Sequence, residues 1–408
     1  MLTNTLLGVH LIGPMATPSL IRHINQTRVL RLLKEEWTLS RAELARSLNL
    51  TRSTLTAVTD ELMEMDLVIE AGQSFVTQAT GRPGTGLKLN PEGAFFLGAE
   101  INVEHIHLVL INLEGSILYR QTRRLRSTKP EAVCRQLVDL VRAVRSVQLG
   151  GSDRLRGLGV TVSALVDTHG VIRSAPTFRW HDVDLKGAIA SQLDIPIFVE
   201  NDANGAALAE LSFGRRKGQS DLSLLLLGVG VGTGMIFDRR IFRGSDGFAG
   251  EIGHLSLDPA SNDQAEGMGF LETHLGRDAL LASYGRVGGR VKDIEGFLRD
   301  LRKEIPSAQN VVKVWGEWLT LAIRNLADLF NPKRVILAGS LSELFSFVEE
   351  DVRRRLRERR FPTVGSLEIG LSSFGKDCSA LGGAALVFDR IFSVPDSNFL
   401  KDFDLNGS

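Results

Sequence analysis

The stretch LGVGVGTGMIFDRRIFRGSDGFAGEIGH, Leu227 to His254, sets glycines at short intervals between an apolar run and a polar end. Glycine turns let backbone N–H groups approach a ligand closely. From Gly250 to His274 the chain adds carboxylates and two histidines, but no cysteine and no lysine. This frame predicts a binding site without a thiolate metal centre and without evident phosphate chemistry.

Composition narrows the class of protein. The 408 residues are enough for two or three domains, and Lys+Arg and Asp+Glu both total 48, so only a local basic patch would indicate nucleic acid. Two cysteines give no disulfide framework, which favours a reducing cytoplasm. The uncharged run Leu222–Phe237 is shorter than the roughly 20 residues of a membrane helix, so we expect no membrane partner.

The first ninety residues are typical of a DNA-binding domain. A helix over 19–36 precedes a capping box at Ser40 and Glu43, a short turn and a third helix over Arg52–Met65. Two short strands flanking ATGRPG then predict a wing. A recognition helix enters the major groove with its N-terminal residues, which here are Arg52, Ser53, Thr54 and Thr56. A solvated helical hairpin used for protein contacts is the alternative.

After Pro91, strands mixed with helices and glycine turns at strand ends predict a large two-lobed α/β region. We assign residues 1–90 to a winged helix-turn-helix domain and 91–408 to a sensing domain. Its first lobe covers about 91–201 plus the C-terminal helix, and its second lobe about 202–380.

The order of ENDAN (200–204), the glycine-rich Leu227–His254 segment and LET (271–273) resembles the ROK family of sugar kinases and sugar-responsive repressors. The N-terminal domain followed by GRPG looks like the repressor branch, of the N-acetylglucosamine and xylose repressor kind. The resemblance implies an actin-like, ribonuclease-H-like pair of lobes with a sugar between them.

The resemblance also implies roles for individual residues. In kinase members the aspartate at Asp202 is the general base, and the sugar-binding set would be Asn201, Asp202, Glu251, His254 and Glu272. Carboxylates and an amide suit a sugar, because its hydroxyl groups lie at fixed angles. The alternative is a helix cap at Asn201–Asp202 and a salt-bridged pair of glutamates.

Two departures from the family pattern argue against kinase activity and against a bound zinc ion. Where kinases place an Asp-x-Gly-Gly-Thr turn on the ATP phosphates, this chain has Glu100, Asn102, Val103 and Glu104. A carboxylate near phosphate is repelled by several kcal/mol at about 4 Å and an effective dielectric near 20. We therefore expect no ATP and no kinase activity, with Asp202 a vestigial base.

The second departure is the zinc site. The family's Cys-x-Cys-Gly-x-x-Gly-Cys run corresponds to QAEGMGF, Gln264 to Phe270, which has no thiolate. A closed zinc site needs four ligands, usually including cysteine. We expect no zinc, with Phe270 packing against apolar surface instead.

The sequence thus predicts a sugar-responsive DNA-binding repressor of carbohydrate uptake or catabolism genes. Two protomers of a homodimer, or of a tetramer, would place their Arg52-led helices on double-stranded operator DNA. Arg82 resembles a hook for the minor groove, with a linker turn as its alternative. The rival functions are a sugar kinase with a degenerate phosphate turn and a DNA-binding scaffold with an inert site.

Overall fold

The computed structural model describes residues 17–71, 85–151, 153–214, 220–255, 269–358 and 367–392. The α-helices within these ranges are α1 (Pro18–Glu36), α2 (Arg41–Leu48), α3 (Arg52–Glu64), α4 (Pro130–Leu149), α5 (Leu185–Ala190), α6 (Asp202–Phe213), α7 (Glu272–Leu275), α8 (Arg277–Arg286), α9 (Ile294–Arg302), α10 (Pro306–Phe330), α11 (Phe345–Arg357) and α12 (Cys378–Phe392). None of the helices so described is both long and apolar enough to cross a bilayer.

The strands within these ranges are also numbered in chain order. They are β1 (Leu39–Ser40), β2 (Val68–Ala71), β3 (Gly86–Leu89), β4 (Phe95–Ile101), β5 (His105–Asn112), β6 (Ile117–Arg124), β7 (Leu155–Val162), β8 (Leu165–Val166), β9 (Ile172–Ala175), β10 (Trp180–Val183), β11 (Ile197–Asn201), β12 (Leu222–Leu227), β13 (Val231–Phe237), β14 (Arg240–Ile241), β15 (Arg334–Ala338) and β16 (Glu368–Leu371).

The described chain forms two compact units. The smaller contains the residues up to Ala94, the loop Asn112–Ser116 and the chain from Phe388 onward. The larger contains Phe95–Ile111 and Ile117–Val387.

The smaller unit has the predicted helix-turn-helix. The capping box at the start of α2 is present, because the Ser40 hydroxyl accepts from the Glu43 N–H and the Glu43 carboxylate accepts from the Ser40 N–H. Asn49 adopts the left-handed conformation that ends α2, and Thr51 caps α3. The prediction of three helices in this arrangement is confirmed.

A three-stranded antiparallel sheet in the order β1–β3–β2 completes this unit. β2 and β3 are the two strands predicted to flank the wing. The segment between them, which carries Arg82, lies outside the described residues. The last turn of α12 packs on α1, where the Lys34 ammonium lies 4.3 Å from the centroid of the Phe388 ring.

The larger unit is built on two five-stranded sheets. The first has the order β11–β7–β4–β5–β6 and the second the order β14–β13–β12–β15–β16. Apolar residues of α4 and α5 form one core with the first sheet, and residues of α7 to α11 form another with the second sheet. A smaller sheet, β10–β9–β8, follows β7.

Glycines let α12 lie directly on the first sheet. A Cβ atom on Gly98 would lie 1.9 Å from the carbonyl oxygen of Ala380, and one on Gly159 would lie 1.8 Å from that of Gly383. The helix and the sheet therefore meet backbone to backbone, with no room for a side chain.

The glycines of GVGVGTG form a hairpin turn, and the last two of them also serve a packing role. The hairpin turn that these glycines indicate is present over residues 228–230, between antiparallel β12 and β13, whereas Gly232 and Gly234 lie within β13. A Cβ atom on Gly234 would lie 2.2 Å from the carbonyl oxygen of Ala203. These glycines bring α6 onto the second sheet, which places the start of α6, at Asp202, between the two sheets.

Candidate functional site

The site begins at one edge of the first sheet. β4, β7 and β11 are parallel neighbours, with Ile101, Val162 and Asn201 in one register row. The carboxyl ends of parallel strands meet at the same edge of a sheet, so Ser163 and Asp202 follow these strands at that edge.

Asn201 caps α6. Its side-chain oxygen accepts hydrogen bonds from the N–H groups of Ala203 and Asn204 at 2.9 and 3.1 Å. Its amide nitrogen donates to the carbonyl oxygen of Ala164 at 3.1 Å. The cap that we set against the sugar-binding role is thus present, and one amide hydrogen remains for a ligand.

Asp202 is a buried carboxyl whose surroundings disfavour its charge. Burial raises its pKa to about 6, against the opposing effect of the Ala203 N–H and the Ser163 hydroxyl. The negative charge of Glu272 raises the pKa further. A carboxyl in this state gains stability from any new hydroxyl donor.

Glu251 is the second member of the acidic group. Burial, then the charges of Asp202 and Glu272, raises its pKa to about 7. The loop that ends at Glu251 is fixed by Gly250, whose φ is +100° and whose carbonyl oxygen accepts from the Thr233 N–H at 3.0 Å.

Glu272 begins α7 and accepts a hydrogen bond from the Gly269 N–H at 3.2 Å. Burial raises its pKa, and the nearby His254 acts in the opposite direction. His254 itself is exposed at the end of a short 3₁₀ helix. Asp202, Glu251, Glu272 and His254 therefore come together, as the sequence comparison with the ROK pattern implied.

Phe270 lies beside this group, with its ring 5.8 Å from that of Trp318 in an edge-to-face arrangement. Met268 and the rest of the segment aligned with the family's zinc loop lie outside the described residues. Among the residues that the structure does describe, no three His, Cys, Asp or Glu side chains are grouped so as to hold a metal ion. The chemistry of the donor set does not fit zinc either, since QAEGMGF offers no thiolate.

The turn that follows β4 is closed by its own side chains. The Asn102 oxygen accepts from the N–H groups of Glu104 and His105, both at 3.0 Å. The Glu104 carboxylate forms an ion pair with Arg277 at 2.8 Å. Two N–H groups of the turn are thus already bonded within the protein.

Glu100, at the end of β4, extends the acidic group. Burial raises its pKa to about 7, and the charge of Asp202 adds to this rise. The family resemblance placed Glu100 only at the position of the aspartate in the kinases' phosphate turn. Its place beside Asp202 follows from the order of the strands, which the sequence alone did not provide.

Ser163 and Arg243 are further residues that sequence reasoning missed. Ser163 directly follows a buried strand, which was a usable signal for the shared sheet edge. Arg243 lies in the loop before Glu251 and pairs with Glu200 at 2.7 Å. Only the three-dimensional structure connects that loop with the strand before Asp202.

A separate candidate site, for DNA, lies in the smaller unit at the N-terminus of α3. Arg52, Ser53 and Thr56 are exposed and Thr54 is partly buried. The Ser53 and Thr54 hydroxyls lie 3.0 and 2.8 Å from that of the capping residue Thr51. Within the described part of the chain, Arg52 forms no hydrogen bond or ion pair through its side chain.

Family models match both units. The ROK family model matches residues 96–390, and the MarR family model matches residues 23–69. The xylose repressor of Bacillus spizizenii is 29% identical to this chain over 386 residues, which is 93% of this chain and 99% of the repressor.

Solved structures agree with this assignment. A ROK family transcriptional regulator described as a homologue of the Escherichia coli MLC protein superposes with a TM-score of 0.80 and 25% identity, covering 95% of this chain and all of the regulator. A ROK glucokinase from Streptomyces griseus, solved with glucose and AMPPNP, covers 72% of this chain and 99% of its own at a TM-score of 0.63 and 24% identity, which shows the shared fold. With the ROK model matching 295 of the 408 residues, from 96 to 390, the chain belongs to the ROK family.

Proposed function

We propose that this protein is a sugar-responsive transcriptional repressor of carbohydrate uptake or catabolism genes. The observation that carries this proposal is the presence of a MarR-type helix-turn-helix and a ROK domain in one chain, with similarity to a xylose repressor over nearly the whole length of both. Because it acts on DNA and its two cysteines are buried and unpaired, it would work in a reducing cytoplasm.

The effector would bind at the acidic group of the larger unit. Asp202, Glu251 and Glu272 are carboxyls with raised pKa values, and among the described residues none of them forms an ion pair with an arginine or lysine. The hydroxyl groups of a sugar would supply the missing hydrogen bonds, with Asn201 and His254 as further partners. Xylose is the first sugar to test, given the name of the similar repressor.

We propose that the protein binds neither ATP nor zinc and has no kinase activity. In the turn after β4, the Asn102 side chain already binds two backbone N–H groups, and Glu104 presents a carboxylate where a kinase would hold phosphate. An incoming phosphate would have to displace Asn102 from both N–H groups and compete with Glu104 for Arg277. Asp202 would then hold a hydroxyl without activating it.

The proposed DNA-bound form is a homodimer with one α3 helix in each of two successive major grooves. Arg52 would contact a base edge or a phosphate, while Ser53, Thr54 and Thr56 would contact the same groove. Arg82 would enter the adjacent minor groove. A sugar would change DNA affinity only by binding the two states of the protein unequally.

Thermal denaturation against monosaccharides, sugar phosphates and polyols, with and without ATP, tests this function first. A sugar present at one hundred times its Kd should stabilise the protein by roughly 2.7 kcal/mol. Stabilisation by ATP together with sugar-dependent ATP consumption would instead identify a kinase. A protein that binds operator DNA but responds to no carbohydrate would be the inert scaffold.

Two substitutions separate the two activities. Asp202→Ala should leave operator binding intact and abolish the response to sugar. Arg52→Ala should weaken operator binding by about 1–3 kcal/mol, or roughly 5- to 150-fold, while the thermal shift with sugar is unchanged. Arg290→Ala, at an exposed loop of the larger unit, is the control. Loss of operator binding in a folded Asp202→Ala variant would contradict the proposal.

A further inference from the structure

We propose that Arg243 is a positioning residue for the effector site, which acts through Glu200 to fix the two segments that carry Asp202 and Glu251. This inference rests on the proposed function and adds a residue outside the sugar-binding set. No sugar needs to touch Arg243 for it to act in this way.

Glu200 is 5% exposed and lies two residues before Asp202. One of its carboxylate oxygens accepts from the Asn201 N–H at 3.0 Å and from the Asn204 amide nitrogen at 3.1 Å. Asn201 is the N-cap of α6 and Asn204 lies in its first turn. The carboxylate therefore holds the turn that presents Asp202.

The other oxygen of Glu200 is taken by Arg243. Its Nε lies at 2.8 Å and its Nη2 at 2.7 Å, so two nitrogens of one guanidinium contact a single oxygen. The Arg243 side chain is 38% exposed and that of Glu200 is 6% exposed, which places the charged pair at the border of the interior. Both carboxylate oxygens of Glu200 are thus engaged, and Arg243 supplies the full positive charge among these contacts.

Arg243 also begins the loop that ends at Glu251. Its carbonyl oxygen accepts from the Ala249 N–H at 3.1 Å, which closes the loop on itself. Gly244 has a φ of +70° and Gly250 a φ of +100°, conformations that favour glycine at each end of this loop. Arg243 therefore connects the loop that carries Glu251 to the segment that carries Asp202.

The guanidinium suits this task better than an ammonium would. Its planar, rigid arrangement of N–H groups fixes direction as well as charge, whereas lysine offers a flexible point charge. If Arg243 positions the site, removing the directional hydrogen bonds of its guanidinium should weaken effector binding even when the protein still folds. If the pair only holds the fold together, stability should fall while effector affinity stays constant.

The first test compares Arg243→Gln, Arg243→Lys and the wild type by calorimetric titration with the sugar that stabilises the wild type. At metal sites, loss of a group that orients a ligand typically reduces affinity 10- to 100-fold, and by analogy we expect Arg243→Gln to raise the Kd by about tenfold. Arg243→Lys should recover part of this loss, and operator binding without sugar should match the wild type in both variants. Arg240→Gln, at an exposed position three residues earlier, is the matched control.

A double-mutant cycle sharpens this test. Glu200→Gln should also raise the Kd, and the double variant should lose much less affinity than the product of the two single losses, because both act through one contact. A wild-type Kd in a folded Arg243→Gln variant, with only a lower Tm, would overturn the inference and leave Arg243 a stabilising residue alone.

Hydrogen exchange tests the positioning without a ligand, which separates this inference from the proposed function. In the unliganded protein, Arg243→Gln should speed amide exchange in the turn from Asn201 to Asn204 and in the loop from Arg243 to Glu251. Exchange should be unchanged in α10. If the wild type binds no carbohydrate, the proposed function fails, but faster exchange in both segments would still support the connection. Unchanged exchange in either segment would refute it.

Discussion

Carboxylates are held in opposite ways in the two units. In the smaller unit, the Ser40 backbone N–H lowers the pKa of Glu43, and the Arg22 guanidinium lowers that of Glu61. In the larger unit, burial raises the pKa of Asp202 to about 6 and that of Glu251 to about 7. Nearby donors stabilise the charged form of the first pair, whereas for Asp202 and Glu251 burial is the largest effect and favours the neutral form.

This difference indicates that hydrogen-bonding capacity for a ligand remains in the larger unit. Glu43 and Glu61 are satisfied within the fold and contribute to its stability. The acidic group of the larger unit costs stability, because desolvated carboxyls lie near one another with few donors. Functional sites commonly retain such a cost, and a ligand with several hydroxyl groups would offset it.

Adding a side chain at Gly159, where α12 lies directly on the first sheet, should reduce the stability of the larger unit most. In Gly159→Val, a Cβ would lie 1.8 Å from the Gly383 carbonyl oxygen, and backbone on both sides leaves nothing flexible to move. We expect a loss above about 4 kcal/mol, which is a large share of the 5–15 kcal/mol that stabilises a domain. Chemical denaturation, or the failure to obtain soluble protein, measures this effect.

The control is a glycine with free space around it. A Cβ on Gly285, an exposed residue of α8, would meet no atom within 4 Å. Gly285→Ala should stabilise the protein by about 0.4–1 kcal/mol through the unfolded chain. Equal behaviour of Gly159→Val and Gly285→Ala would contradict the backbone-to-backbone packing of α12 on the first sheet.

The same contrast explains how much the sequence could predict. The smaller unit was predictable because its signals are local: Ser40 and Glu43 are three residues apart, and Thr51 directly precedes α3. In the larger unit, Asp202, Glu251 and Glu272 are separated by tens of residues, and their grouping came from the family resemblance. Spacing alone carries no information about which strand ends share an edge.

Two features of the larger unit show the limits of local reasoning. Glu100 joins Asp202 because β4, β7 and β11 are neighbours, and that strand order is not written in any short motif. Gly232 and Gly234 have the pattern of a ligand-binding turn, but they serve the packing of α6. A glycine motif predicts a close approach, and the partner of that approach depends on tertiary structure.

Neutralising one carboxyl of the acidic group should change how stability depends on pH. The pKa of Glu251 in the folded protein, about 7, exceeds its ordinary value of 4.5. The folded state therefore binds more protons than the unfolded state between these values, so its contribution to stability is present below pH 4.5 and is lost as the pH rises towards 7. Glu251→Gln should flatten this fall, which is limited to about 1.4 kcal/mol per pH unit for one group.

Thermal denaturation of the unliganded protein from pH 5 to pH 8 provides the measurement. Glu104→Gln, which changes an exposed carboxylate paired with Arg277, should leave the slope between pH 5 and 7 as it is in the wild type. A Glu251→Gln profile parallel to that of the wild type would mean that Glu251 is charged throughout this range. Glu251 would then be held as a charged group, as Glu43 and Glu61 are, and the contrast between the two units would be weaker.

The smallest loss of stability should come from the capping box, where the sign of the pH dependence reverses. Ser40→Ala removes the side chain that accepts from the Glu43 N–H, and loss of such a cap costs typically about 1 kcal/mol. Because the pKa of Glu43 is lowered in the folded protein, its contribution is present above pH 4.5 and is lost as the pH falls below that value. Chemical denaturation of Ser40→Ala at pH 7 and pH 4 should therefore show a larger deficit against the wild type at pH 7, since the Ser40 hydroxyl also bonds the charged Glu43. A deficit that grew as the pH fell would indicate that Glu43 is held like the buried carboxyls of the larger unit, and the two units would no longer differ in this respect.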